Sequence, residues 1–255
     1  DSYEQLLKVP SPSDLSDPSD NGLVEGCLFK YTAGVAPNWY TGGIDVHFGR
    51  NWVVRDSTFV DIQSPGERLA EHAIHFWSES SGTTVERNFI VNCDRGIGFG
   101  MGSSEHQGGV IRNNMIFHDG SGTFVDVGIG LESASEAQVY NNSVYYAHDR
   151  YPNAIEYRFS TTSNVLISNN LTNKSITSRD GATATLKANI TSAQADWFAN
   201  LTQGDLHLSG SVSEIVDQGT VLSGLTDDFD RDSRPQGNGI DIGADEFVNS
   251  PIAAP

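Results

Sequence analysis

The chain has 255 residues and a mean hydropathy of −0.33, with 12 Phe, 8 Tyr and 4 Trp, which is enough apolar material for one folded core but never the roughly 20-residue run of a membrane span. A net charge of −18, from 15 Lys and Arg against 33 Asp and Glu, repels polyphosphate and excludes nucleic acid as a partner, while such a carboxylate-rich chain is a plausible host for Ca²⁺. Two cysteines make no disulfide framework, and a chain opening at Asp1 without a leader reads as cytosolic or as a mature form.

Residues 2–9 offer Ser2 as an N-cap and an apolar spacing compatible with a short helix, the alternative being a remnant of an earlier coil. Residues 10–20, rich in Pro, Ser and Asp, form a loop. Short strands then recur with the pattern small-Ile-x-apolar-x, their isoleucines at Ile44, Ile74, Ile97, Ile129 and Ile155, spaced 30, 23, 32 and 26 residues apart, with Ile176 continuing the series. After each strand comes a second series, Ser57, Asn88, Asn114, Asn142, Asn170 and Asn189. Coils of this length stack into a solenoid, in which the asparagines form a ladder at a sharp turn, tolerating left-handed backbone and bonding to the amides of neighbouring coils.

Stacked Ile, apolar and Asn rows make residues 21–210 resemble the right-handed parallel β-helix proteins of the pectate-lyase-like superfamily. The expected fold is an all-β, single-stranded right-handed parallel β-helix of about seven coils, preceded by a cap or loop over residues 1–20 and followed by an irregular cap over 211–255. The run at 228–235, leading into 239–247, looks like the ending of secreted chondroitinase-B-like β-helix proteins, which implies an extracellular glycan setting. Cys27 falls in the row of Thr58 and Phe89, about two coils from Cys93, so no disulfide is expected. Sequons occur at Asn141, Asn170, Asn173, Asn189 and Asn200, but Asn170 and Asn189 face inward in the ladder.

The longest connections, 61–73, 117–128 and 146–154, flank the first-strand sheet, with a bulge at 102–108 on its other edge, so together they wall a groove. In β-helix enzymes of this superfamily the substrate lies in such a groove. With isoleucines inward, period-two alternation points Asp45, His75, Gly98, Gly130 and Glu156 outward, and with them His47, Trp77, Gly100, Glu132 and Arg158. The glycines would make a floor for a sugar ring stacking on Trp77, or would simply admit an overlying loop. Asp45, His47, Trp77, His72, His106 and His148 are the candidate substrate-binding residues.

Two chemistries fit these residues. A lyase acting on a uronic acid would neutralise the carboxylate with Arg158 and use His75 or His118 as base, with Asp45, Glu132 or Glu156 holding Ca²⁺. An inverting hydrolase would use Glu132 and Glu156, about 8 Å apart on adjacent coils; alternatively Glu132 merely pairs with Arg158. A further Ca²⁺ site is possible at Asp228, Asp230 and Asp232, although Ser233 and Gly239 depart from the EF-hand pattern. These residues describe a secreted or cell-surface monomer acting on a polysaccharide or oligosaccharide, as a lyase first and a hydrolase second. The alternative is a non-catalytic, glycan-binding β-helix.

Overall fold

In the computed structural model, which describes residues 1–12 and 14–248, the isoleucine row forms as the spacing predicts. Seven parallel strands, Gln5–Val9, Gly42–His47, Ile74–Trp77, Ile97–Phe99, Ile129–Glu132, Asn153–Arg158 and Ser175–Arg179, make the first sheet and close about six turns of a parallel β-solenoid. Leu7, Ile44, Ile74, Ile97, Ile129, Ile155 and Ile176 lie in one register row, and the five from Ile44 to Ile155 are completely buried. Residues 2–9 correct the helix expectation. Leu7 and Val9 alternate with Lys8, a period of two, and Gln5–Val9 is the first strand of the sheet.

The asparagine ladder is continuous. Nδ2 of Asn88 donates to Oδ1 of Asn114 at 3.0 Å, and the same bond links Asn114 to Asn142, Asn142 to Asn170 and Asn170 to Asn189 at 2.9, 3.0 and 3.0 Å. Left-handed backbone belongs to the residue before each rung rather than to the rung itself: Asp56, Arg87, Asn113, Asn141, Asn169 and Ala188 have φ between 46° and 55°. That kink turns the rung's amide inward, where it also satisfies backbone carbonyls such as those of Ile111 and Tyr140. Cys27 heads this row, its N–H donating to Oγ of Ser57 at 3.1 Å, and Leu28 pairs with Thr58, one residue from the expected register. Both cysteines are free, Cys27 exposed and Cys93 buried.

A second core lies outside the coil. The sheet containing Thr58–Val60, Phe89–Val91, Met115–His118 and Ser143–Tyr146 points Phe59, Ile90, Ile116 and Val144 inward, yet its outward rows are apolar too: Phe89, Met115 and Leu171, then Val91, Phe117 and Tyr145. Phe198, Leu206, Leu208, Ile215, Ile242 and Ala244 of the C-terminal segment cover them. This segment runs back along the flank of the solenoid. Asn169 bonds to Thr220, Asn141 to the carbonyls of Asp241 and Gly243, Asn113 and Arg87 to Asp227, and Asp56 to Arg231. The expected cap is thus a strap across five successive turns, as far as residue 248. Residues 249–255 lie outside the described residues.

Candidate functional site

On the outer face of the first sheet the row beside the isoleucines reads Lys8, Asp45, His75, Gly98, Gly130 and Glu156. The glycines do not leave an open floor, because the end of the 61–73 connection folds over them. A Cβ at Gly98 would stand 2.7 Å from Nε2 of His72, so the missing side chain is what admits the imidazole. His75 lies beneath this cover with its side chain 1% exposed. Its Nε2 is 3.1 Å from the carbonyl oxygen of Gly100, which can only accept, so Nε2 carries the proton and Nδ1 keeps its lone pair.

Nδ1 of His75 stands 3.9 Å from both Oδ1 of Asp45 and Oε2 of Glu71. Asp45 receives the Trp77 indole N–H at 2.7 Å, Lys8 at 3.0 Å and His47 at 3.4 Å. Burial works against its charge, but His47, His75, Trp77 and Lys8 hold its carboxyl well below the usual range. Burial pushes His75 down to about 4, pushes His72 well below its ordinary value, and pushes Glu71 up. At neutral pH the two imidazoles are therefore uncharged.

Past the glycines, a cavity of about 120 Å³ opens with His72 at one side and Tyr151 and Glu156 at the other. Three ion pairs line it: Arg95 with Asp126 at 2.9 Å, Arg158 with Glu132 at 3.5 Å and Arg179 with Glu156 at 2.8 Å. Arg158 is also paired with Asp180 at 2.8 Å, and Oε2 of Glu132 accepts the Gly102 N–H at 2.8 Å. Glu156 accepts from Tyr151 at 2.5 Å and from Asn153 at 2.6 Å. Although burial opposes its charge, Tyr151, Asn153 and Arg179 hold Glu156 low, while burial and the Glu156 bond push Tyr151 up. The long connections do wall this cavity, through His72, Asp126 and Tyr151.

Other candidates lie elsewhere. His106 is a strand residue facing the core, stacked on Phe99 with centroids 4.0 Å apart and 3.0 Å from Oγ1 of Thr83. His118 ends a strand of another sheet and packs against His148, 5.0 Å between centroids. Neither His106 nor the His118–His148 pair lines the cavity. In the strap, Asp228 is consumed by the backbone N–H groups of Asp230, Asp232 and Glu246, Asp230 turns to His207 at 2.8 Å, and Asp232 is exposed, so the three do not converge. Lys8, Glu71, Arg95, Asp126, Tyr151 and Arg179 were not anticipated. The signal for one of them was present: Glu71-His72 stands just ahead of the strand that begins at Ile74 and carries His75, with Ala73 between.

Residues 25–192, more than half of the chain, match a family model described as NosD, periplasmic copper-binding protein. The chain belongs to the NosD family. NosD is a right-handed β-helix family of the pectate-lyase-like superfamily, in agreement with the stacked coils. The chain matches no curated protein sequence. Among the described residues no helix is long and apolar enough to cross a membrane.

The copper in the NosD description can be tested against the donors present. Among the described residues two groups bring three possible ligand atoms within 4.8 Å of one another: Glu71, His72 and His75, and His207, Asp230 and Asp245. In the second the donors already serve one another. Both ring nitrogens of His207 are taken, Nδ1 by Asp205 at 2.5 Å and Nε2 by Asp230 at 2.8 Å, and although burial opposes its charge these carboxylates and Asp245 shift the imidazole upward, which favours a proton over an ion there. In the first, Oε2 of Glu71 and Nδ1 of His72 are buried with no hydrogen-bond partner. Two neutral imidazoles and a carboxylate fit a transition ion, whereas Ca²⁺ takes oxygen donors.

Proposed function

We propose that the chain is a non-catalytic, extracytoplasmic binding protein that takes an uncharged, hydroxyl-rich saccharide in the cavity between His72 and Glu156. One observation carries this reading: the cavity is lined by paired rather than free charges. A guanidinium beside a carboxylate presents a donor and an acceptor together, which suits a hydroxyl that both accepts and donates. A uronate would bring an anion to three carboxylates on a chain of net charge −18, with no arginine of the three left free.

The same pairing speaks against the lyase and hydrolase readings. A lyase needs a base near neutrality, yet Tyr151 is pushed up, and His75 is covered by the His72 segment. An inverting hydrolase needs one carboxyl free to hold and pass a proton, and both Glu132 and Glu156 are paired with arginines. Membership of NosD, described as a periplasmic copper-binding protein, supports a place outside the cytoplasm.

Calorimetric titration with neutral and uronate oligosaccharides tests this. Binding of a neutral glycan, weakened about tenfold or more by Glu156→Gln or Arg158→Ala, is the expected result. Unsaturated products or new reducing ends released from any glycan by the purified protein would overturn it.

A further inference from the structure

We propose that Glu71, His72 and His75 bind one divalent first-row transition ion, Cu²⁺ or Zn²⁺, under the end of the 61–73 connection. This stands independently of the saccharide reading. The donor atoms lie within 4.8 Å of one another, and Nδ1 of His75 is 3.9 Å from Oε2 of Glu71. Metal–ligand bonds of about 2.0–2.1 Å set tetrahedral donors about 3.3 Å apart. Closing that gap takes a shift of well under 1 Å, and Glu71, with its side chain 19% exposed, is the arm able to make it.

The surroundings are those of a built site. Nε2 of His75 is tied to the Gly100 carbonyl, which fixes the ring and leaves the Nδ1 lone pair free 3.9 Å from Oε2 of Glu71, the outer-partner arrangement typical of metal-bound histidine. His72 is only 9% exposed, yet its Nδ1 has no partner, a desolvation cost that a bound ion would relieve. Gly98 exists in this row because the His72 ring needs its space. Asp45 stands at the same 3.9 Å from Nδ1 of His75, but it is already engaged by Lys8, His47 and Trp77, so it adds negative potential beside the site while Glu71, without a partner, supplies the ligand oxygen. Imidazole donors and a carboxylate favour Cu²⁺ over the other divalent ions of the series, and Ca²⁺ not at all.

The test uses the purified full chain stripped with chelator, then titrated with Cu²⁺, Zn²⁺ and Ca²⁺. Cu²⁺ and Zn²⁺ should each bind at one equivalent and raise the melting temperature, the Cu²⁺ form showing coupling to two nitrogens by electron paramagnetic resonance, and Ca²⁺ should not compete. His72→Ala should weaken binding by about a hundredfold or more and remove one nitrogen from the spectrum. Glu71→Gln, at a partly exposed position where folding is safe, should weaken it by at least about tenfold. Gly98→Val, which drives a side chain into the His72 ring, should do the same with all three ligands present. Absence of stoichiometric binding would overturn the site, as would wild-type affinity in Glu71→Gln and His72→Ala, or loss of the ion only with His207→Ala.

Discussion

A histidine's neighbours decide whether it titrates, and the same residue type plays opposite parts here. Nδ1 of His75 stands 3.9 Å from the Glu71 carboxylate with His72 beside it, whereas His106 is packed on Phe99 and bonded to Thr83 inside the coil, away from that cluster. Burial pushes His106 down to about 3 from an ordinary 6.5. Below pH 6.5 the unfolded chain binds a proton at this position that the folded chain refuses, so its contribution is fully present above 6.5 and is lost as pH falls toward 3. The loss is at most about 1.4 kcal/mol per pH unit. Urea unfolding at pH 7.5 and pH 4.5 should show wild type losing more stability than His106→Gln, and parallel losses would refute the assignment. Period-two alternation was sufficient to place His75 on the outer face. It carried no information about the connection that folds over that face, because loop paths follow tertiary packing rather than local period. For this reason Glu71 was not set beside His75, although Glu71-His72 stands just ahead of the strand and the glycine row already allowed for an overlying loop.

Among the elements, two kinds of row hold the coils together, and they fail differently. Ile97 fills the apolar interior, and Ile97→Ala should cost about 2–5 kcal/mol through lost contacts and a cavity. Asn142 donates to the carbonyls of Ile111 and Tyr140 and to Asn170, and accepts from Asn114. Asn142→Ala strands several of these groups away from water at about 1–3 kcal/mol each, so it should cost at least as much as Ile97→Ala despite removing less apolar area. Chemical denaturation of the two variants decides it; a cost under about 1 kcal/mol for Asn142→Ala would mean that water replaces the rung. Both rows were readable because a solenoid repeats the same environment in every coil, so one constraint is written several times. The opening segment was left between a helix and the remnant of a coil because five residues offer too few periods to separate the two, and pairing with Gly42–His47 settles Gln5–Val9 as a strand.

For the whole molecule, the decisive contact is between the strap and the solenoid. Its anchor is Arg234, fully buried, paired with Glu246 at 2.6 Å and donating to the carbonyls of Asp227, Asp241, Gly243 and Ala244. Those carbonyls belong to the same stretch that bonds Asn113 and Asn141, so Arg234 folds the strap into the shape that fits the ladder's outer edge. Apolar residues two apart, as at Phe89 and Val91 or Met115 and Phe117, hint in the sequence that the outer face of this sheet is covered, though they do not say by what. Arg234→Met removes one partner and leaves Glu246 charged in the interior, a cost of about 3–5 kcal/mol, whereas Arg234→Met with Glu246→Leu replaces the pair by apolar volume and should recover most of it. The solenoid keeps its own Ile and Asn rows, so the single variant should release the strap first, exposing Phe89, Met115 and Phe117. Limited proteolysis of Arg234→Met should therefore cut within 210–240 while the coils stay intact, with increased binding of a hydrophobic dye. Simultaneous degradation of strap and coils would show instead that the strap is part of one cooperative unit with the solenoid.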